Sequence, residues 1–192
     1  HMWETAGQVE NILPGTLINI GPFPEFIADY IPITDGHKNY FNQIYSDGHS
    51  RLTLLKLSGI LHDIGKPETK TVEADGKIRF LTHEKLGGEI VYSILKRLKF
   101  SNLGGEIIKT QVENHLRPSQ ISSPGKKPSL KAIRKFYKDT EDTSLDILYL
   151  NMDDYISAKG PKLTRKEWKY HCENLEIIQN NESEYKKHPN QL

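Results

Sequence analysis

Beyond residue 50, apolar residues recur mostly at helical spacing. Leu54, Leu57, Leu61 and Ile64 follow the three-and-four spacing of one helical face, and Gly65 and Pro67 are expected to stop that helix. Thr82 and Ser101 read as N-caps of the next two helices, one running to about Lys99 and the other ending before Pro118. Ile108, Val112 and His115 share a stripe of the second, which should face the core. Further helices are expected at about 129–139, 144–159 and 164–180. Ile147, Leu150 and Asp154 share a face of the 144–159 helix, while Asp153 falls beside Asp146 and Tyr149 on what reads as a wetter face.

The period changes to two over 69–80, where Val72, Asp75-Gly76 and Ile78 supply strand, turn and strand of a small hairpin. The chain to about Asp35 is rich in breakers (Pro14-Gly15, Gly21-Pro22, Pro24, Pro32), with short helices expected around 9–13 and 25–30, and another at 38–45. A loop is expected at 119–128, centred on Pro124-Gly125. The expectation is an all-α helical bundle with one small β-hairpin. An irregular, short-helix segment (3–35) precedes the main domain (36–180), and a polar tail (181–192) follows it.

Composition narrows the class. The formal charge of +1 lacks the basic excess of a nucleic-acid coat protein. The single cysteine, Cys172, rules out an internal disulfide and a Cys-based zinc site. A mean hydropathy of −0.60, no apolar run near the roughly 20 residues of a membrane span and no signal-peptide pattern suggest a cytoplasmic protein. His1-Met2 resembles a cloning scar and is set aside, which leaves open that the chain is a piece of a longer protein.

The densest chemistry is Leu61-His62-Asp63-Ile64-Gly65-Lys66-Pro67. An imidazole and a carboxylate side by side at a helix end can converge on one cation, helped by the unpaired carbonyls there. A His-Asp pair at a helix end is commonly just a cap, so the rest of the chain must support a metal. His115 on a core stripe is a candidate ligand. Asp154 is another, since a carboxylate on an apolar face needs a counter-charge. His37, His49 and His83 are further candidates. Such a mixed N/O set suits Mn, Fe, Mg, Zn, Co or Ni.

These residues resemble the HD superfamily, whose pattern is a His, a His-Asp pair, a further His and a distant Asp. Here those positions would be His37 or His49, then His62-Asp63, His115 and Asp154. The likeness is closest to the HD region behind the nucleotidyltransferase head of bacterial tRNA nucleotidyltransferases and poly(A) polymerases. It is carried by LLKLSGILHDIGKP (54–67), FLTHEKLGG (80–88), RLKFS (97–101), HLRP (115–118), AIRKFYKDT (132–140) and DILYLNMDDYISAKGP (146–161). Asn114 stands where relatives often have His, and no nucleotidyltransferase head is legible.

The resemblance implies metal-assisted hydrolysis of phosphate esters. His62, Asp63, His115, Asp154 and His37 would hold a divalent ion. Asp63 and Lys66 would act in catalysis, and Lys66, His83 and Arg117 would bind substrate. It also implies a nucleotide or an RNA 3′ end as substrate. The basic stretch 126–138, with Phe136 and Tyr137 for stacking, is a candidate RNA contact, although a solvated amphipathic helix explains it as well. The alternative function is a non-catalytic RNA-binding or scaffolding tail of a longer nucleotidyltransferase.

Overall fold

The computed structural model describes residues 1–13, 25–32, 36–122 and 126–188. The turns expected at Pro14-Gly15, Gly21–Pro24 and Pro124-Gly125 lie outside them. In chain order the elements are α1 (Met2–Asn11), a 3-10 turn (Glu25–Ile27), α2 (Gly36–Asn42), the strands β1 (Ile44–Ser46) and β2 (His49–Ser50), α3 (Arg51–Leu61), α4 (Lys66–Thr69), β3 (Lys70–Val72), β4 (Ile78–Phe80), α5 (His83–Arg97), α6 (Asn102–Asn114), α7 (Arg117–Gln120), α8 (Leu130–Thr140), α9 (Ser144–Lys159), α10 (Arg165–Asn180) and α11 (Glu182–Lys187). The fold is all-α, with two small antiparallel strand pairs, β1–β2 and β3–β4. No helix among the described residues is long and apolar enough to cross a membrane.

Local chemistry sets the helix starts. The hydroxyls of Ser50, Ser101 and Ser129 accept from the backbone N–H of Thr53, Gly104 and Ala132, and Thr164 forms a reciprocal capping box with Glu167. Each such cap is worth about 1 kcal/mol.

Several expectations are corrected. The first helix spans Met2–Asn11 rather than 9–13. Helix α2 stops at Asn42, because Asp47 and Gly48 turn with φ of 53° and 74° and close the β1–β2 ribbon. Asp47-Gly48 is the Asp-Gly dipeptide that favours such a tight turn. Pro67 sits in the first turn of α4, where its missing N–H costs nothing, so it opens a helix rather than ending one. Thr82 precedes α5 at φ 64°, its hydroxyl bound to the Leu81 carbonyl instead of capping.

Helix α9 runs through the middle, packed by α1, α3, α6, α7, α8 and α10. It is consequently buried nearly all round, from Asp146 to Asp153. The face expected to be wet is therefore interior: Asp146, Tyr149 and Asp153 are all buried. The larger core gathers around α9, with Val9, Phe41, Phe136, Leu150 and Trp168. A smaller one joins α3 to the α5–α6 pair through Leu54, Val91, Leu95, Ile108 and Val112. Helix α1 lies against both α3 and α9.

Candidate metal centre

Helix ends supply most of the site. His62 is the C-cap of α3 and Asp63 follows it; His115 is the C-cap of α6; His83 opens α5; Asp154 comes from α9. Gly65 lets the turn after α3 meet α5: a Cβ there would lie 2.3 Å from the His83 carbonyl oxygen and 2.8 Å from the Gly87 nitrogen. No side chain fits that approach, so the α3 turn and the start of α5 can press together only around a glycine.

Three imidazoles are oriented alike. The Nδ1 of His62, His83 and His115 meets the carbonyl three residues earlier, that of Gly59 at 2.9 Å, Phe80 at 2.7 Å and Val112 at 2.7 Å. A carbonyl only accepts, so Nδ1 carries the proton and a neutral ring presents its Nε2 lone pair. Those three Nε2 atoms and Asp63 Oδ1 are buried without a hydrogen-bond partner.

They converge. His62 Nε2 is 3.3 Å from both Asp63 Oδ2 and Asp154 Oδ1, His83 Nε2 is 3.4 Å from Asp63 Oδ1, and His115 Nε2 is 3.9 Å from the same oxygen. Acceptor atoms facing one another in a dry pocket repel unless a cation sits between them. Ligand atoms bound at about 2.1 Å to one ion lie roughly 3.0–3.4 Å apart, so the spacing fits a divalent ion. Neutral imidazoles with carboxylates are the donor set of borderline divalent metals.

His1 joins the same cluster. Its Nε2 lies 2.9 Å from Asp154 Oδ1 and 3.6 Å from Asp63 Oδ2, with its ring edge-on to His62. His1, His62 and Asp154 form one potential ligand group, and His62, Asp63 and His115 another. From the sequence His1 is set aside; in the structure it lies at the cluster. The available signal was the helical periodicity behind it, since Thr5, Gln8, Val9 and Ile12 are the buried face of α1 and its end. A helix seated that way points its leading residue into the α3–α9 gap.

The cluster's electrostatics are those of anions awaiting a cation. Burial works against a charged His62, yet the Asp154 and Asp63 carboxylates outweigh it and hold the imidazole up to about 9. Burial likewise opposes the Asp63 anion, but His62, His83 and Lys66 hold its carboxyl well below the usual range. The Asp63 carboxylate raises His83. His115 is pushed down to about 4, first by burial and then by the charge on His62. Asp153, wholly buried beside Asp154, has its carboxyl pushed well above the usual range, mainly by desolvation and then by the Asp154 charge.

The remaining candidates sort by position. Lys66 Nζ donates to Asp63 Oδ2 at 2.6 Å. His83 lies inside the cluster rather than at its rim. Arg117 is paired with Asp139 at 3.0 Å. His37 is not brought to the cluster: Nδ1 meets the Tyr149 hydroxyl at 2.8 Å and Nε2 accepts from Gln179 at 3.1 Å, so both ring nitrogens are engaged elsewhere. His49 stacks on Phe100. Phe136 and Tyr137 are buried and unavailable for stacking with RNA.

The geometry defines an all-helical domain built around a metal-ligand cluster. The model of the HD domain matches residues 36–159, and the chain belongs to that family. The CC-adding tRNA nucleotidyltransferase of Thermus thermophilus is 30% identical over 114 residues, 59% of this chain and 24% of the relative. The A-adding tRNA nucleotidyltransferase of Deinococcus radiodurans is 29% identical over 109 residues, 56% of this chain and 24% of the relative. The matches thus span about a quarter of those relatives' length.

Proposed function

We propose that this domain is a metal-dependent phosphohydrolase that cleaves a phosphomonoester or phosphodiester on a nucleotide or RNA end. The observation that carries the reading is the set of buried, unpartnered Nε2 atoms of His62, His83 and His115 aimed at the Asp63 carboxylate. His62, Asp63, His115 and Asp154 would hold the ion, one of Mn, Mg, Ni, Fe, Co or Zn, with His1 and His83 beside them. A bound divalent ion acidifies water and screens phosphoryl charge.

The protein's own residues supply the rest. Asp63 turns one oxygen toward His62 and His1 and the other toward His83 and His115, which suits a bridging carboxylate. Lys66 neutralises Asp63 in the metal-free protein. A cation in the cluster would repel that ammonium, freeing it for a non-bridging phosphoryl oxygen. The HD family and two relatives named for tRNA nucleotidyl addition favour a nucleotide or RNA end as substrate and a longer natural chain carrying a nucleotidyltransferase head.

The test is reconstitution with Mn, elemental analysis, and turnover of bis-p-nitrophenyl phosphate and a 2′,3′-cyclic nucleotide. Bound metal and turnover are expected, and Asp63→Ala should lose the ion and on the order of 10³-fold in rate. A protein that binds no metal, or an Asp63→Ala variant that keeps its rate, overturns the reading.

A further inference from the structure

The β3–β4 hairpin stands beside the metal centre with both strands largely exposed. Its register pairs Lys70 with Phe80, Thr71 with Arg79 and Val72 with Ile78. Directly paired residues share a face and successive residues alternate, so Lys70, Val72, Ile78 and Phe80 lie on one side and Thr71 and Arg79 on the other. Val72 and Ile78 are 66% and 52% exposed.

Phe80 ties that face to the centre. Its carbonyl holds His83 Nδ1, and its ring centroid lies 5.6 Å from Lys66 Nζ, itself 2.6 Å from Asp63 Oδ2. The ring is therefore at most about 8 Å from the carboxylate at the heart of the cluster. It is only partly buried and is flanked by Lys66 and by Lys70 across the ladder. A partly exposed aromatic ring beside the Lys66 ammonium, which itself sits on the Asp63 carboxylate, matches a flat ring attached to an anion. The span from a nucleotide's phosphate to its base fits that reach.

We propose that Phe80 is a base platform: the substrate carries a nucleobase that stacks on the Phe80 ring while its phosphate lies at Asp63 and Lys66. The assignment rests on the phosphohydrolase reading and gives the base of its nucleotide or RNA-end substrate a specific contact. A plain sugar or glycerol phosphate would meet the same ligands and leave the ring uncovered.

The experiment compares adenosine 2′,3′-cyclic phosphate with glycerol 1,2-cyclic phosphate on the Mn-loaded chain, in the wild type, Phe80→Ala and Phe80→Trp. The wild type should prefer the adenosine ester through KM. Phe80→Ala should shrink that preference on the order of tenfold, as loss of a base–aromatic stack does, and Phe80→Trp should restore it. Equal losses on both esters, or an unchanged preference, overturn the platform. Binding of adenosine 5′-monophosphate against inorganic phosphate, measured by calorimetry, separates the two readings. A wild type that turns over neither ester but binds the nucleotide more tightly, through Phe80, keeps the platform and sinks the hydrolase. Equal affinities sink the platform alone.

Discussion

Two buried polar clusters flank α9, and they solve the problem of interior charge in opposite ways. In one, Arg51 Nη1 meets Asp146 Oδ2 at 2.9 Å and the Tyr40 hydroxyl at 2.6 Å, while the guanidinium lies 4.2 Å and 3.7 Å from the ring centroids of Tyr40 and Tyr45. Cation, anion, donor and π-faces are all present, so the charge is balanced within the protein. In the other, around Asp63, ligand lone pairs converge, and only an added cation, a proton on His62 or a metal ion, balances them. Burial alone does not separate a structural cluster from a ligand site. The test is whether the atoms meeting at the centre are complementary or of one kind.

That contrast breaks most sharply under charge removal. Arg51→Met strands Asp146, whose carboxyl burial already pushes up to about 6 despite the guanidinium. Breaking a buried pair by deleting one member costs about 3–5 kcal/mol, roughly a 10 °C fall in Tm for a chain of this size. Metal stoichiometry should not change. Asp154→Asn should do the reverse: Tm of the metal-free protein stays within a few degrees, and the rise in Tm on adding Mn disappears. Thermal melts with and without Mn, with metal content by elemental analysis, decide it. Loss of metal in Arg51→Met would erase the distinction between the clusters.

A proton and a metal compete for the second cluster but not the first. His62 is raised from 6.5 to about 9, so it is protonated at neutral pH in the metal-free protein and the ion must expel that proton. Apparent metal affinity should rise about tenfold per pH unit between roughly 6 and 8 and flatten near 9. Calorimetry in buffers of different ionisation enthalpy should find about one proton released per ion. The same shift stabilises the metal-free fold fully below 6.5, and that contribution fades as pH rises towards about 9. A pH-independent metal affinity would mean that His62 is not a ligand.

Much of this architecture was legible in the chain. Helices α8, α9 and α10 fall almost where periodicity and caps put them, because Ser129 and Thr164 act through contacts three residues away. His62 and Asp63 stand out in the sequence as a pair at a helix end, His115 and Asp154 as polar groups on apolar stripes that demand a partner. What was hidden depends on tertiary placement. Asp153 looks peripheral until α9 is surrounded on all sides. His83 looks like a rim residue until Gly65 brings α5 onto the end of α3. His37 and His1 are both histidines at the start of a helix, and only the packing of α1 against α3 and α9 tells them apart.

The smallest predicted effect separates those two histidines. His37 donates from Nδ1 to Tyr149 and accepts at Nε2 from Gln179, with burial lowering its pKa against the pull of Glu182. His37→Phe removes both bonds and leaves the buried Tyr149 hydroxyl unpaired. That costs about 1–2 kcal/mol, or a few degrees in Tm. Metal occupancy and affinity should match the wild type, whereas His1→Ala should weaken affinity measurably at the same pH. Titration of both variants with Mn gives the answer. If His37→Phe loses the ion and His1→Ala keeps it, the first histidine of the HD pattern lies on α2, and the placement of His1 at the cluster carries no chemistry.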